Sequence, residues 1–173
     1  MRPILRVLGA AVAFCALSPL AQAQTSHRVL IHVKTSLSLD DAQICAAPNV
    51  ALASLKAGHK VTMLFDASAV TSIAKGFGWR RKFSSTSAMD RAKLPDRERR
   101  SLSEQLGVPL EQVPHDYGEY LGFLKSKGVE IYGNKTMMLL YNIDPAKTGP
   151  AVVPVGLDKM VELFNAADRT IVY

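Results

Sequence analysis

Two nearly continuous apolar runs, RVLIHVK at 28–34 and VTMLF at 61–65, constrain this chain more than any other feature. A strand that is apolar on almost every residue has to be covered on both faces, which is the situation of a parallel sheet. Between the runs, Asp40 and Asp41 are placed to open a helix, and Ile44, Ala51, Leu52 and Leu55 recur at helical spacing until Gly58. Strand, helix and strand in so short a stretch predict a right-handed parallel crossover. Pro48 has no N–H for the carbonyl of Ile44, so a kink or a later helix start is expected there.

The same alternation continues along the chain. Ala67, Val70, Ile73 and Ala74 are helically spaced before Gly76. Asp116 and Glu119 have the spacing of a reciprocal cap, followed by the stripe Tyr117, Tyr120, Leu121 and Leu124. Residues 129–132 predict a third strand, 137–143 a short helical turn, 151–155 a fourth strand and 170–173 a last one. Leu157, Met160, Val161 and Phe164 are expected to form the buried face of the final helix. The order predicts a three-layer α/β/α sandwich around a mostly parallel five-stranded sheet.

Two segments stand outside that pattern. Residues 1–23 read as a cleaved signal peptide, with Arg2 and Arg6 before an apolar run and Ala21-Gln22-Ala23 as the cleavage site. The run is too short to span a bilayer, and Phe14 is too bulky for lipoprotein processing at Cys15. Export to a bacterial periplasm is the expectation, with a single domain at 24–173 and no membrane contact after cleavage. The second segment, at about 77–115, is a basic insertion: from 79 to 100 it holds eight basic residues against three acids. Ser101 and Glu104 have capping-box spacing for a short helix within it. Charge beside Trp79 is the signature of a single-strand nucleic-acid surface, but export argues against nucleic acid. A lid or a subunit contact is the better expectation.

With the first crossover and its LASLKAGHKVTMLF junction, LKSKGVEIYGN, and the closing GLDKMVELFNAADRTIVY, the chain resembles the DsrE/DsrF-like family of small α/β proteins, which includes sulfur-relay subunits. The resemblance covers most of residues 28–173 apart from the insertion. It implies a homo-oligomer and, in sulfur-relay members, a persulfide cysteine at the end of the third strand or in the loop after it. Here the window 131–138 has no cysteine, and Tyr132 or Gly133 occupies that place. Neither a phenol nor a hydrogen can carry transferable sulfur.

In open parallel sheets, ligands bind beyond the carboxyl ends of the strands. That rule selects Thr35, Asp66, Asn134, Lys135 and Thr136 as a candidate set for a small anion or a polar ligand, set against the simpler reading in which Asn134 and Thr136 satisfy a turn and Asp66 caps a helix. Gly128 to Thr136 resembles a phosphate loop only superficially, because one residue separates Gly133 from Lys135. After processing Cys45 is the remaining thiol, so no disulfide can form within one chain. Beside Ile44 it reads as a small hydrophobe, with a relocated sulfur-transfer nucleophile as the alternative. His27, His32, His59 and His115 lack metal-ligand spacing, and neither metal nor cofactor is expected. The function these features suggest is an exported binding or interaction module, with a protein or a small anion as partner.

Overall fold

The computed structural model describes residues 25–78 and 84–173. The expected leader, and Trp79, Arg80, Arg81 and Lys82 of the insertion, lie outside the described residues. Five strands, β1 (Arg28–Val33), β2 (Lys60–Phe65), β3 (Glu130–Asn134), β4 (Val153–Val155) and β5 (Arg169–Val172), form one sheet in the order β4-β3-β2-β1-β5. Every pairing in it is parallel. The fold is therefore α/β, with the sheet wholly rather than mostly parallel.

Strand order dictates which face each helix takes. From β1 to β2 to β3 to β4 the chain steps one way across the sheet, so right-handed crossovers place their helices on one face. Those helices are α1 (Asp41–Lys56), α2 (Val70–Ile73), α5 (Tyr117–Ser126) and α6 (Lys135–Leu140). The step from β4 to β5 runs back over three strands, so α7 (Leu157–Ala166) must cross the other face, and among the described elements it crosses alone. The core divides accordingly. Val29, Ile31, Val33, Val61, Met63 and Phe65 join the large cluster under α1 and α5. Leu30 and Leu64 meet Val155 and Met160 in a small cluster under α7.

Local chemistry explains most boundaries. Asp40 caps α1 by accepting the Gln43 N–H at 3.2 Å, and Gly58 ends the connection at φ 81°. Pro48 neither delays nor interrupts α1: it is buried in mid-helix, where its packing offsets the lost hydrogen bond. Asp116 accepts the Glu119 N–H at 2.8 Å, whereas the Glu119 carboxylate reaches one residue further back, to the N–H of His115.

Three expectations need correction. The insertion is not a lid standing off the domain. Its described part contains α3 (Ala88–Arg91) and α4 (Asp96–Leu106), and with the turns beside them it places Met89, Leu94, Leu102 and Val113 in the main core. Arg99 belongs to this packing, being only 8% exposed while donating to the carbonyls of Leu110, Val113 and Pro114. Second, α4 starts at Asp96 behind Pro95, so Ser101 lies inside the helix and accepts from Gln105 in place of capping. Third, α7 buries Met160 and Leu163, while Leu157 and Val161 are both 57% exposed and Phe164 is 38% exposed. A helix that covers a sheet alone has a flank with nothing to pack against.

Gly118 and Gly122 in α5 separate close approach from helix propensity. A Cβ on Gly118 would meet the backbone of Asp90, its Cα at 3.0 Å, whereas one on Gly122 meets nothing within 4 Å. Gly118→Ala is expected to destabilise by about 1–3 kcal/mol through overpacking, and Gly122→Ala to stabilise by about 0.5–1 kcal/mol. Urea denaturation of both variants checks the pair; equal effects would disprove the α3–α5 contact.

Candidate functional site

Strand alternation puts His32, Asp66 and Asn134 on the α7 face, at the carboxyl ends of β1, β2 and β3. They form a chain across the three strands. His32 Nε2 lies 2.9 Å from Asp66 Oδ2, and Asn134 Nδ2 donates to Asp66 Oδ1 at 2.7 Å. The backbone N–H of Ala67 also donates to Oδ1, at 2.7 Å. Asn134 Oδ1 then accepts the N–H groups of Thr136 and Met137, which sets the start of α6.

These bonds fix the charge state of the centre. The hydrogen bond from His32 is the largest influence on Asp66; burial opposes it, but Asn134 and the Ala67 N–H add to it, and the carboxyl pKa falls to about 2. Beside an ionised carboxylate a neutral His32 has to carry its proton on Nε2, leaving a lone pair on Nδ1. No hydrogen-bond partner meets Nδ1 among the described residues. The Phe164 ring stands edge-on to the imidazole, with centroids 5.1 Å apart. The His32 side chain keeps 12% of its exposure, enough to present one ring edge.

Both oxygens of Asp66 accept hydrogen bonds, and Asn134 uses its amide oxygen and one of its two amide N–H groups in the same network. Their effect is to hold His32. Ala67, next in the chain, is held in the left-handed region at φ 44°, which costs about 1–2 kcal/mol for a residue with a Cβ. That strain accompanies the tight turn needed for its N–H to reach the carboxylate.

The other candidate residues occupy different positions. Thr35 is half-buried, with its hydroxyl 3.5 Å from Gln43 Oε1. Lys135 and Thr136 are exposed in the first turn of α6. Cys45 lies on α1, across the sheet from His32, and packs against the large core. Burial pushes its thiol pKa up, more than a hydrogen bond with Tyr117 brings it down, and Glu98 and Asp41 raise it further. The Tyr117 hydroxyl donates to Glu98 at 2.8 Å, which ties α5 to the insertion.

His32 is the residue that sequence reasoning missed, having weighed it for metal-ligand spacing. A signal existed: in parallel register His32 pairs with Leu64, so Asp66, two residues later, falls on the same face one step beyond. The site also lies beside the reversal in strand order, because β1 adjoins β5 with His32 opposite Val172.

No protein-family model and no curated protein matches this sequence. Among solved structures it is similar to the crystal structure of the ychN protein from E. coli, with a TM-score of 0.54 and 12% identity over 86% of this chain and 100% of that one. At this identity the likeness is one of fold, and the fold is DsrE-like.

The lowered pKa of Asp66 makes its contribution to stability pH-dependent. The contribution is complete above the ordinary carboxylate value of about 4 and is lost as the pH falls through about 2. Asp66→Asn is expected to be less stable than the natural protein at neutral pH by about 1–2 kcal/mol, allowing for screening at the rim. The difference should narrow on acidification and close near the folded-state value; a gap independent of pH in urea denaturation would refute the pairing.

Proposed function

On this DsrE-like scaffold, we propose an exported binding or interaction module that works without the persulfide cysteine of sulfur-relay proteins. The mature domain, residues 24–173, acts in the periplasm and recognises a small polar or anionic group at the carboxyl rim. The observation that carries this reading is His32: a carboxylate-held imidazole with an open Nδ1, and no cysteine, serine or threonine hydrogen-bonded to it among the described residues. An imidazole without a nucleophile can bind and exchange a proton, but has nothing on which to form a covalent intermediate.

The site after β3 supports the same reading. The side-chain direction of Gly133 is filled by Met138, Ile73 and Val152, so this position points into the core. Lys135 and Thr136, on the turn that Asn134 organises, offer an ammonium and a hydroxyl to a ligand entering from solvent. The raised thiol pKa of Cys45 and its place on the other face give sulfur transfer through that residue no support.

The exposed flank of α7 supports self-association, with Leu157 and Val161 in a subunit contact beside the rim. This contact makes His32 a site at the edge of an interface.

Incubation of the purified mature protein with thiosulfate or a persulfide donor is expected to give no catalytic turnover, and Cys45 is expected to react with thiol reagents only after unfolding. With excess dithiothreitol present as the sulfur acceptor, which is itself oxidised to the disulfide, sustained release of sulfide would end the proposal. For the assembly, Val161→Glu should convert an oligomer into a monomer in sedimentation velocity; a natural protein that is already monomeric would remove this part of the reading.

A further inference from the structure

The opposite end of the sheet carries a second hollow that the carboxyl-rim site does not use. About 510 Å³ in volume, it lies at the amino ends of β1, β2 and β3, with Leu30, Val61, Leu163 and Ala166 contributing apolar lining. Small-molecule sites fall in this size range. The two flanks of α7 explain why both ends of the sheet are open. Met160 and Leu163 press on the sheet; Phe164 leans to one side, against His32, and Lys159, Glu162 and Ala166 line the hollow on the other.

The charges around the hollow are segregated. On its α7 side Lys159 bonds to Glu162 at 2.9 Å, and these charges satisfy each other. Along the strand starts the balance is different. Arg28 opens β1 and Lys60 opens β2 directly opposite it, whereas Arg169 of β5 pairs with Val29 and so takes the other face. Like charges at paired positions on adjacent strands repel. Two carboxylates stand near them: Asp168 accepts the backbone N–H of Arg28 at 2.7 Å and lies 3.8 Å from its guanidinium, and Glu130, which opens β3 and lines the hollow two register steps from Lys60, accepts from the Thr62 hydroxyl at 3.5 Å. Lys60 has no carboxylate partner among the described residues. His59 accepts the His27 N–H through Nδ1 at 3.3 Å, so its neutral ring turns an Nε2–H donor outward at the same edge.

An apolar trough ending in two facing cations, of which Lys60 has no carboxylate partner among the described residues, and in an N–H donor is complementary to one class of molecule. We propose that the amino-end hollow is a binding site for an amphipathic organic anion. The headgroup, a carboxylate or its equivalent, sits between Lys60 and Arg28, and a short alkyl or aryl tail lies over Leu30 and Leu163. Occupation relieves the repulsion between the paired cations and removes the apolar lining from water. The site is separate from the His32 rim and does not depend on its role.

Octanoate serves as the probe, followed by amide chemical shifts of the full mature chain. Saturable shifts are expected at Leu30, Thr62 and Leu163, without equivalent shifts at Asn134 and Thr136. Acetate, which has no tail, and octyltrimethylammonium, which has the wrong charge, are each expected to bind at least about tenfold more weakly. Lys60→Glu should weaken octanoate binding by about tenfold or more, and Lys60→Gln by less; both substitutions are at an exposed position, and their amide spectra report folding independently. Equal binding of the cationic surfactant, unchanged affinity in Lys60→Glu, or shifts confined to the carboxyl rim would each overturn the proposal. So would co-sedimentation with phosphatidylglycerol vesicles in the absence of saturable octanoate binding, which would assign the basic strip to a lipid surface.

Discussion

A parallel sheet has two apolar faces to cover, and among the described residues only α7 lies over one of them. The cause is topological. Four strands are laid down in one direction, and a single return crossover brings β5 to the far side of β1. One ten-residue helix cannot cover five strands. The His32 rim and the hollow at the strand starts are both margins that α7 leaves.

The covered face has the opposite character. It carries α1, α2, α5, α6 and the described part of the insertion, and its cluster includes residues from all of them. Even the polar groups there are structural: Arg99 fastens the 110–114 turn, and Tyr117 fastens Glu98. Cys45 belongs to this side, in surroundings that favour the neutral thiol. Chemistry requiring a charged or exchanging group is better placed on the thinly covered face, where water reaches a ring edge that the protein has already oriented.

At the rim, a negative charge is stabilised by donors from three strands and passes its orientation to a single imidazole. Desolvation, which would raise the pKa of Asp66, is outweighed by three hydrogen bonds to the charged form. The left-handed Ala67 shows that the backbone is bent to complete that shell. Such an arrangement suits recognition of a polar group or proton exchange with it, and the same residues double as the caps that begin the segments after β2 and β3.

Much of the fold was legible in the sequence because it is set by interactions between near neighbours. Asp40, Asp66 and Asp116 cap within three residues, Gly58 and Gly76 turn where φ is positive, and unbroken apolar runs imply a sheet covered on both faces. The candidate site was legible only in part: Asp66 and Asn134 could be chosen from the rule about strand ends, but their bonds to His32 and to each other join residues 34 and 68 positions apart. The flank of α7 was misread for a related reason, since helical periodicity identifies apolar residues without showing whether a neighbour exists to meet them. Sequence by itself therefore determined the elements and their parallel association. Which side chains meet across strands, and which face is left thin, was decided by strand order, a property of the assembled sheet that no local segment contains.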